Sequence, residues 1–181
     1  MTGTRMEISA DEPTVIMTRI FDAPLALVWA ATVDPVQVRE WWGGPGCTNP
    51  VCEMDVRVGG LWKQVMRFPD GHEIRLDFVF LEVDPPVRLA WENVDHGQRR
   101  GMPPSSRITL TLDEIGARTR WMMVARFLSL EDRDAALGYG FSGPIDASAN
   151  GLAIYLARLL RLARDGFRSA AAFPAMSGNT T

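Results

Sequence analysis

The tripeptide Pro69-Asp70-Gly71 constrains this chain more than any other feature, because the runs on either side of it have a consistent apolar face in only one register. Proline presets the backbone angle of a first turn position, and glycine takes the left-handed conformation at no steric cost. A three-residue loop with a glycine bulge then pairs Phe68 with His72 and sets Met66 opposite Ile74, Gln64 opposite Leu76 and Trp62 opposite Phe78. One face of this hairpin is almost wholly apolar, while Lys63, Arg67, Arg75 and Asp77 lie on the other, where charge reaches water. A two-residue turn would slip the pairing by one and bring Arg75 and Asp77 beside Met66 and Gln64. Side chains alternate with period two, so such a slip turns a whole strand over. The bulged register is the one predicted.

The same alternation predicts strands at 14–21, 50–57, 61–68, 73–83, 87–93, 106–113 and 118–128, seven in all. Ile108, Leu110 and Leu112 face inward on one of them, and Trp121, Met123, Ala125 and Phe127 on the last, with Arg120 and Arg126 outward. Pro24 suits the first turn of a helix running to about Thr32. Asp34 followed by Pro35 combines a cap acceptor with a proline at the first helical position, opening a second short helix that ends near Trp41-Trp42-Gly43. Glu131–Leu137 reads as a third helix, and the glycines from Gly138 to Gly143 loosen or break it at its end. Pro144 then opens a long helix to about Arg164, with Ile145, Ala149, Leu152, Leu156, Leu159, Leu160 and Ala163 forming one stripe. A sheet with one apolar face and a helix with one apolar stripe bury both when the sheet wraps the helix. The expected organisation is a flexible segment at 1–13, a single domain at 14–164 and a frayed tail at 165–181.

Composition narrows the partners. A formal charge of -3 on 181 residues, with 46% hydrophobic and 23% charged residues, gives no basic footprint for nucleic acid or for an anionic membrane surface. No apolar run approaches the ~20 residues of a membrane span, and Met1 to Asp11 lacks the apolar stretch of a signal peptide, so a cytoplasmic protein is expected. Cys47 and Cys52 fit no strong zinc or redox spacing, and His72 and His96 fall in turns without a metal-ligand partner, so neither a metal nor a cofactor is expected.

A series of spaced motifs runs through the chain in one order: Phe21-Asp22-Ala23-Pro24, Val28-Trp29, Asp34-Pro35, Glu40-Trp41-Trp42-Gly43-Gly44-Pro45-Gly46, Gly59-Gly60-Leu61-Trp62, and Phe80-Leu81-Glu82-Val83-Asp84-Pro85-Pro86. Over roughly residues 14 to 160 the pattern resembles the START-like (SRPBCC) superfamily, in its branch similar to the activator of the 90-kDa heat-shock protein ATPase. The resemblance implies an α+β helix-grip fold, a curved antiparallel sheet of about seven strands around a long C-terminal helix with a deep pocket between them. On that reading Trp62, Met66, Leu76, Phe78, Trp91, Trp121 and Met123 line the pocket from the strands. Ile145, Ala149 and Leu152 line it from the helix, and Trp41 and Trp42 stand near an entrance. Gln64 is the inward group able to hydrogen-bond a ligand. Where relatives carry Gly-Trp followed by Ser-Leu-Asp-Arg-Leu, this chain has Pro144-Ile145 and Ser148-Ala149-Asn150-Gly151-Leu152. The smaller residues widen the space under the helix unless Tyr139 or Phe141 refills it.

An enzyme needs a positioned acid, base or nucleophile, and the inward positions are poor in them. Asp77, Glu53, Arg75 and His72 are the titratable candidates for a pocket mouth. The leading expectation is a carrier or sensor for a small apolar or aromatic molecule. The alternatives are a cyclase, dehydratase or hydrolase acting on such a molecule, or a module that meets a chaperone as the heat-shock activator does. A homodimer is compatible with all three.

Overall fold

Eight strands and four helices succeed one another along residues 3–94 and 104–171, the part of the chain described by the computed structural model. The strands are β1 (Arg5–Ile8), β2 (Thr14–Phe21), β3 (Thr48–Met54), β4 (Leu61–Arg67), β5 (Glu73–Asp84), β6 (Arg88–Asn93), β7 (Arg107–Ile115) and β8 (Arg118–Arg126). The helices are α1 (Leu25–Val33), α2 (Pro35–Trp41), α3 (Leu130–Gly138) and α4 (Ser142–Ala171). All strand pairings are antiparallel, in the spatial order β1-β2-β8-β7-β6-β5-β4-β3, and the curved sheet stays open because β1 and β3 do not meet. This is consistent with a helix-grip type of α+β fold. His96 and residues 172–181, the end of the expected tail, lie outside the described residues.

The hairpin register is the bulged one. The Phe68 amide donates to the His72 carbonyl at 2.8 Å and the Gly71 amide to the Phe68 carbonyl at 2.9 Å, with Gly71 at φ 86. Trp62 pairs with Phe78, Gln64 with Leu76 and Met66 with Ile74. Along β4, Trp62, Gln64 and Met66 are buried and Lys63 and Arg67 exposed. Buried Ile108, Leu110, Leu112, Trp121, Met123, Ala125 and Phe127 continue the inner face.

The sheet has one strand more than the seven expected. Arg5–Ile8 pairs with β2, Arg5 opposite Thr18 and Ile8 opposite Val15, inside the segment expected to be flexible. All four of its residues are exposed, so its sequence carries none of the buried–exposed alternation that marks the other strands.

Helix starts coincide with the capping residues. The Asp34 side chain accepts from the Val36 amide at 2.9 Å ahead of α2, and the Ser129 side chain accepts from the Asp132 amide at 3.0 Å ahead of α3. Helix α4 extends beyond both expected ends. Ala149, Leu152, Tyr155 and Leu156 are buried on its inner side and Leu159 and Leu160 half-buried. From Arg161 to Asp165 every side chain is exposed, so the predicted stripe stops short of Ala163. No helix among the described residues is long and apolar enough to cross a membrane.

Candidate functional site

The turn after α2 packs its backbone directly on α4. A Cβ on Gly151 would lie 2.4 Å from the Trp41 carbonyl oxygen, and one on Gly44, at φ 83, would lie 2.6 Å from the Ala147 carbonyl oxygen. The Gly43 amide donates to Ser148 Oγ at 3.0 Å, and that hydroxyl donates to the Pro144 carbonyl at 2.9 Å. Glycine on both sides of the contact lets helix and turn approach closely, which fixes Trp41 and Trp42 over the sheet.

Below them is a cavity of about 410 Å³ between the inner sheet face and α4. Strand alternation supplies most of the wall: Trp62 and Met66 from β4, Leu76, Phe78 and Phe80 from β5, Leu89 and Trp91 from β6, Ile108 and Leu110 from β7, and Trp121 and Met123 from β8. Helix α4 contributes Ile145, Ala149 and Leu152, and Trp41 and Trp42 complete that side. The rim is made by Phe68, by Pro104, Ser105 and Ser106 ahead of β7, and by the α3–α4 turn at Tyr139, Gly140 and Phe141. Tyr139 is 65% exposed, whereas Phe141 is half-buried, packs edge-on against Phe127 at 5.2 Å and lines the cavity.

Every residue expected on the wall lies there except Gln64. Its side chain is fully buried but engaged elsewhere: Oε1 accepts from Trp62 Nε1 at 3.0 Å, and Nε2 donates to Asn49 Oδ1. Asn49 Nδ2 in turn donates to the carbonyls of Arg39 at 3.0 Å and Trp42 at 2.9 Å. A buried amide needs partners, and β3 supplies them before any ligand could. Gln64 thus holds the Trp62 ring and the end of α2 in place. Phe80 and Leu89 were missed as wall residues, although alternation from Phe78 reaches Phe80. A bulge between Phe80 and Glu82 ends simple counting just beyond it.

Aromatic rings dominate the wall, with Trp62 at their centre. Its ring centroid lies 4.5 Å from Trp42, 5.0 Å from Phe78 and 5.9 Å from Trp91, in tilted or edge-on arrangements favoured by ring quadrupoles. Trp41 is buried, 7% exposed, and its indole donates to the Ala31 carbonyl at 2.9 Å, so it roofs the chamber from within rather than standing at an entrance. The indole N–H groups of Trp42, Trp91 and Trp121 meet no acceptor among the described residues.

Among the described residues, ionisable groups on the cavity are confined to its edge. Arg75 and Tyr139 touch the cavity at its rim, and Arg75 Nε donates to Asp77 Oδ2 at 3.0 Å on the outer face. Glu53 and His72, considered for a pocket mouth, are exposed and off the wall, as is half-buried Asp77. Cys52 is buried behind Trp62 and its thiol is pushed up to about 11 by burial, which outweighs the opposing pull of the Trp62 hydrogen bond and of Arg39. Burial, assisted by Glu40, also raises the Tyr155 hydroxyl, which is off the wall. Arg19 faces inward on β2, but its guanidinium is held by Asn150 at 2.6 Å and Thr4 at 3.2 Å, tying strand to helix. No group of three His, Cys, Asp or Glu able to hold a metal ion occurs among the described residues. The described wall is thus apolar and aromatic, with its ionisable groups at the rim.

Solved structures share this architecture. Protein Ms6760 from Mycobacterium smegmatis is 25% identical, with 86% of this chain and 98% of that one covered at a TM-score of 0.74. A protein from Arthrobacter aurescens is 23% identical over 87% and 93% of the two chains at 0.75, and one from Rhodobacter sphaeroides is 22% identical over 87% and 99% at 0.75. No curated protein matches. The family model described as Activator of Hsp90 ATPase homolog 1-like protein matches residues 22–158. The chain belongs to that family, within the SRPBCC superfamily.

Proposed function

We propose that this family member is a carrier or sensor that binds one small hydrophobic or aromatic molecule in the cavity between its sheet and α4. The observation that carries the reading is the character of that chamber: about 410 Å³, within the range typical of small-molecule sites, and walled by aromatic and aliphatic side chains. General acid or base work needs a titratable group within hydrogen-bond reach of the reacting atoms. Among the described residues the inner wall carries none, and the rim offers an arginine and an exposed tyrosine. That favours holding a ligand over cyclase, dehydratase or hydrolase chemistry. The Hsp90 partnership named in the family's description is not what the cavity supports.

A native mass spectrum of freshly purified protein tests the proposal. The expected result is a species heavier than the bare chain by the mass of one small molecule, released when the protein is denatured. Protein that carries nothing, and takes up no aromatic compound on incubation, contradicts it. Recovery of a chemically altered compound after incubation would move the reading to an enzyme.

A further inference from the structure

We infer that the cavity selects flat ring compounds bearing carbonyl or ether oxygens over hydrocarbons of the same shape; this rests on the binding role proposed above and names the class of ligand. The argument comes from five tryptophans around one chamber. Trp41 and Trp62 have their N–H groups engaged, by the Ala31 carbonyl and by Gln64. Trp42, Trp91 and Trp121 meet no acceptor among the described residues, and they reach the cavity from three different elements: the turn after α2, β6 and β8.

Trp91 and Trp121 are only 6% and 7% exposed, a degree of burial at which an indole N–H ordinarily finds an acceptor. Neither nitrogen is sealed in protein, since the one fully enclosed side-chain polar atom without a partner among the described residues is Asp77 Oδ1. Both side chains line the cavity, where a ligand's acceptor can meet them. An indole donates and does not accept, so these three groups present donors alone. A hydrocarbon filling the chamber displaces whatever water serves these N–H groups and leaves them orphaned, which costs the desolvation of each. A ring carrying an oxygen acceptor fills the same volume and restores at least one hydrogen bond. A cationic amine meets no carboxylate among the described residues of the wall, because Asp77 and Glu53 lie off it.

The test compares fluorene with 9-fluorenone, which share a ring skeleton and differ by one carbonyl. Calorimetric titration of the full chain is paired with proton–nitrogen NMR of the indole N–H resonances. The ketone is expected to bind about three- to tenfold more tightly, the range of one net hydrogen bond. It should also move at least one of the Trp42, Trp91 or Trp121 N–H signals downfield, an effect the hydrocarbon lacks. Trp91→Phe and Trp121→Phe keep a ring and remove the donor, and one of them should lower ketone affinity to the hydrocarbon's level. If either variant fails to fold, the native-protein spectra decide. Equal affinities with no selective indole shift would overturn the inference and leave the binding role standing, whereas failure of both compounds to bind would overturn the two together.

Discussion

Gly151 is a poor helix former in the middle of the longest helix, and its reason lies outside the helix. Alanine there would gain about 1 kcal/mol of helix propensity. It would also set a Cβ 2.4 Å from the Trp41 carbonyl, a backbone atom that no rotamer change can move aside. Overpacking of this kind costs about 1–3 kcal/mol, so Gly151→Ala should lower stability despite the better propensity. Thermal unfolding with a raised melting temperature would count against the turn–helix contact. Gln64 marks where reading residues singly fails. Alternation placed it inward correctly, but whether its amide is free for a ligand depends on Asn49, whose nearness is fixed only once β3 is paired with β4. Trp41 and Trp42 were expected near an entrance, and the close glycine contact that seats their turn on α4 is visible only in the fold. Which of the two has its N–H engaged depends on the position of α1, which no local pattern gives.

Among the elements, those built on an amphipathic period were legible and those without one were not. The hairpin around Pro69-Asp70-Gly71 took its register from turn chemistry and pattern together, and the inner faces of β5, β7 and β8 came from the same alternation. Strand β1 was not legible because all its side chains are exposed, leaving only backbone pairing to β2 to define it. Helix α4 was found from its stripe, but its last turns continue past the buried face, where periodicity has nothing to mark. The strength of the stripe can be tested at Leu152, 1% exposed and on the cavity wall. Leu152→Ala should cost about 2–5 kcal/mol, and Leu152→Asp more, because an unpaired carboxylate is added to the lost apolar contact. Circular dichroism melts that leave Leu152→Asp unchanged would contradict the placement of α4 on the sheet.

For the whole molecule, the open sheet and its helix were legible in the sequence pattern, but the chamber between them was not. Alternation says which side chains face inward; it does not say whether they meet. Small Ala149 lies on the cavity wall, and α4 seats closely on the glycine turn at Gly44 and Gly151. The central claim is that this space is a binding chamber and not a loosely drawn core. Its most direct measurement is a fluorescence titration of the parent and of Ala149→Phe with one aromatic probe, 1-anilinonaphthalene-8-sulfonate, alongside thermal unfolding of both. The account predicts saturable binding of about one probe to the parent, loss of that binding in Ala149→Phe, and a variant whose stability stays within about 1 kcal/mol, below the usual overpacking cost. A parent that binds no probe, with a variant destabilised by about 1–3 kcal/mol as in a close-packed core, would contradict it.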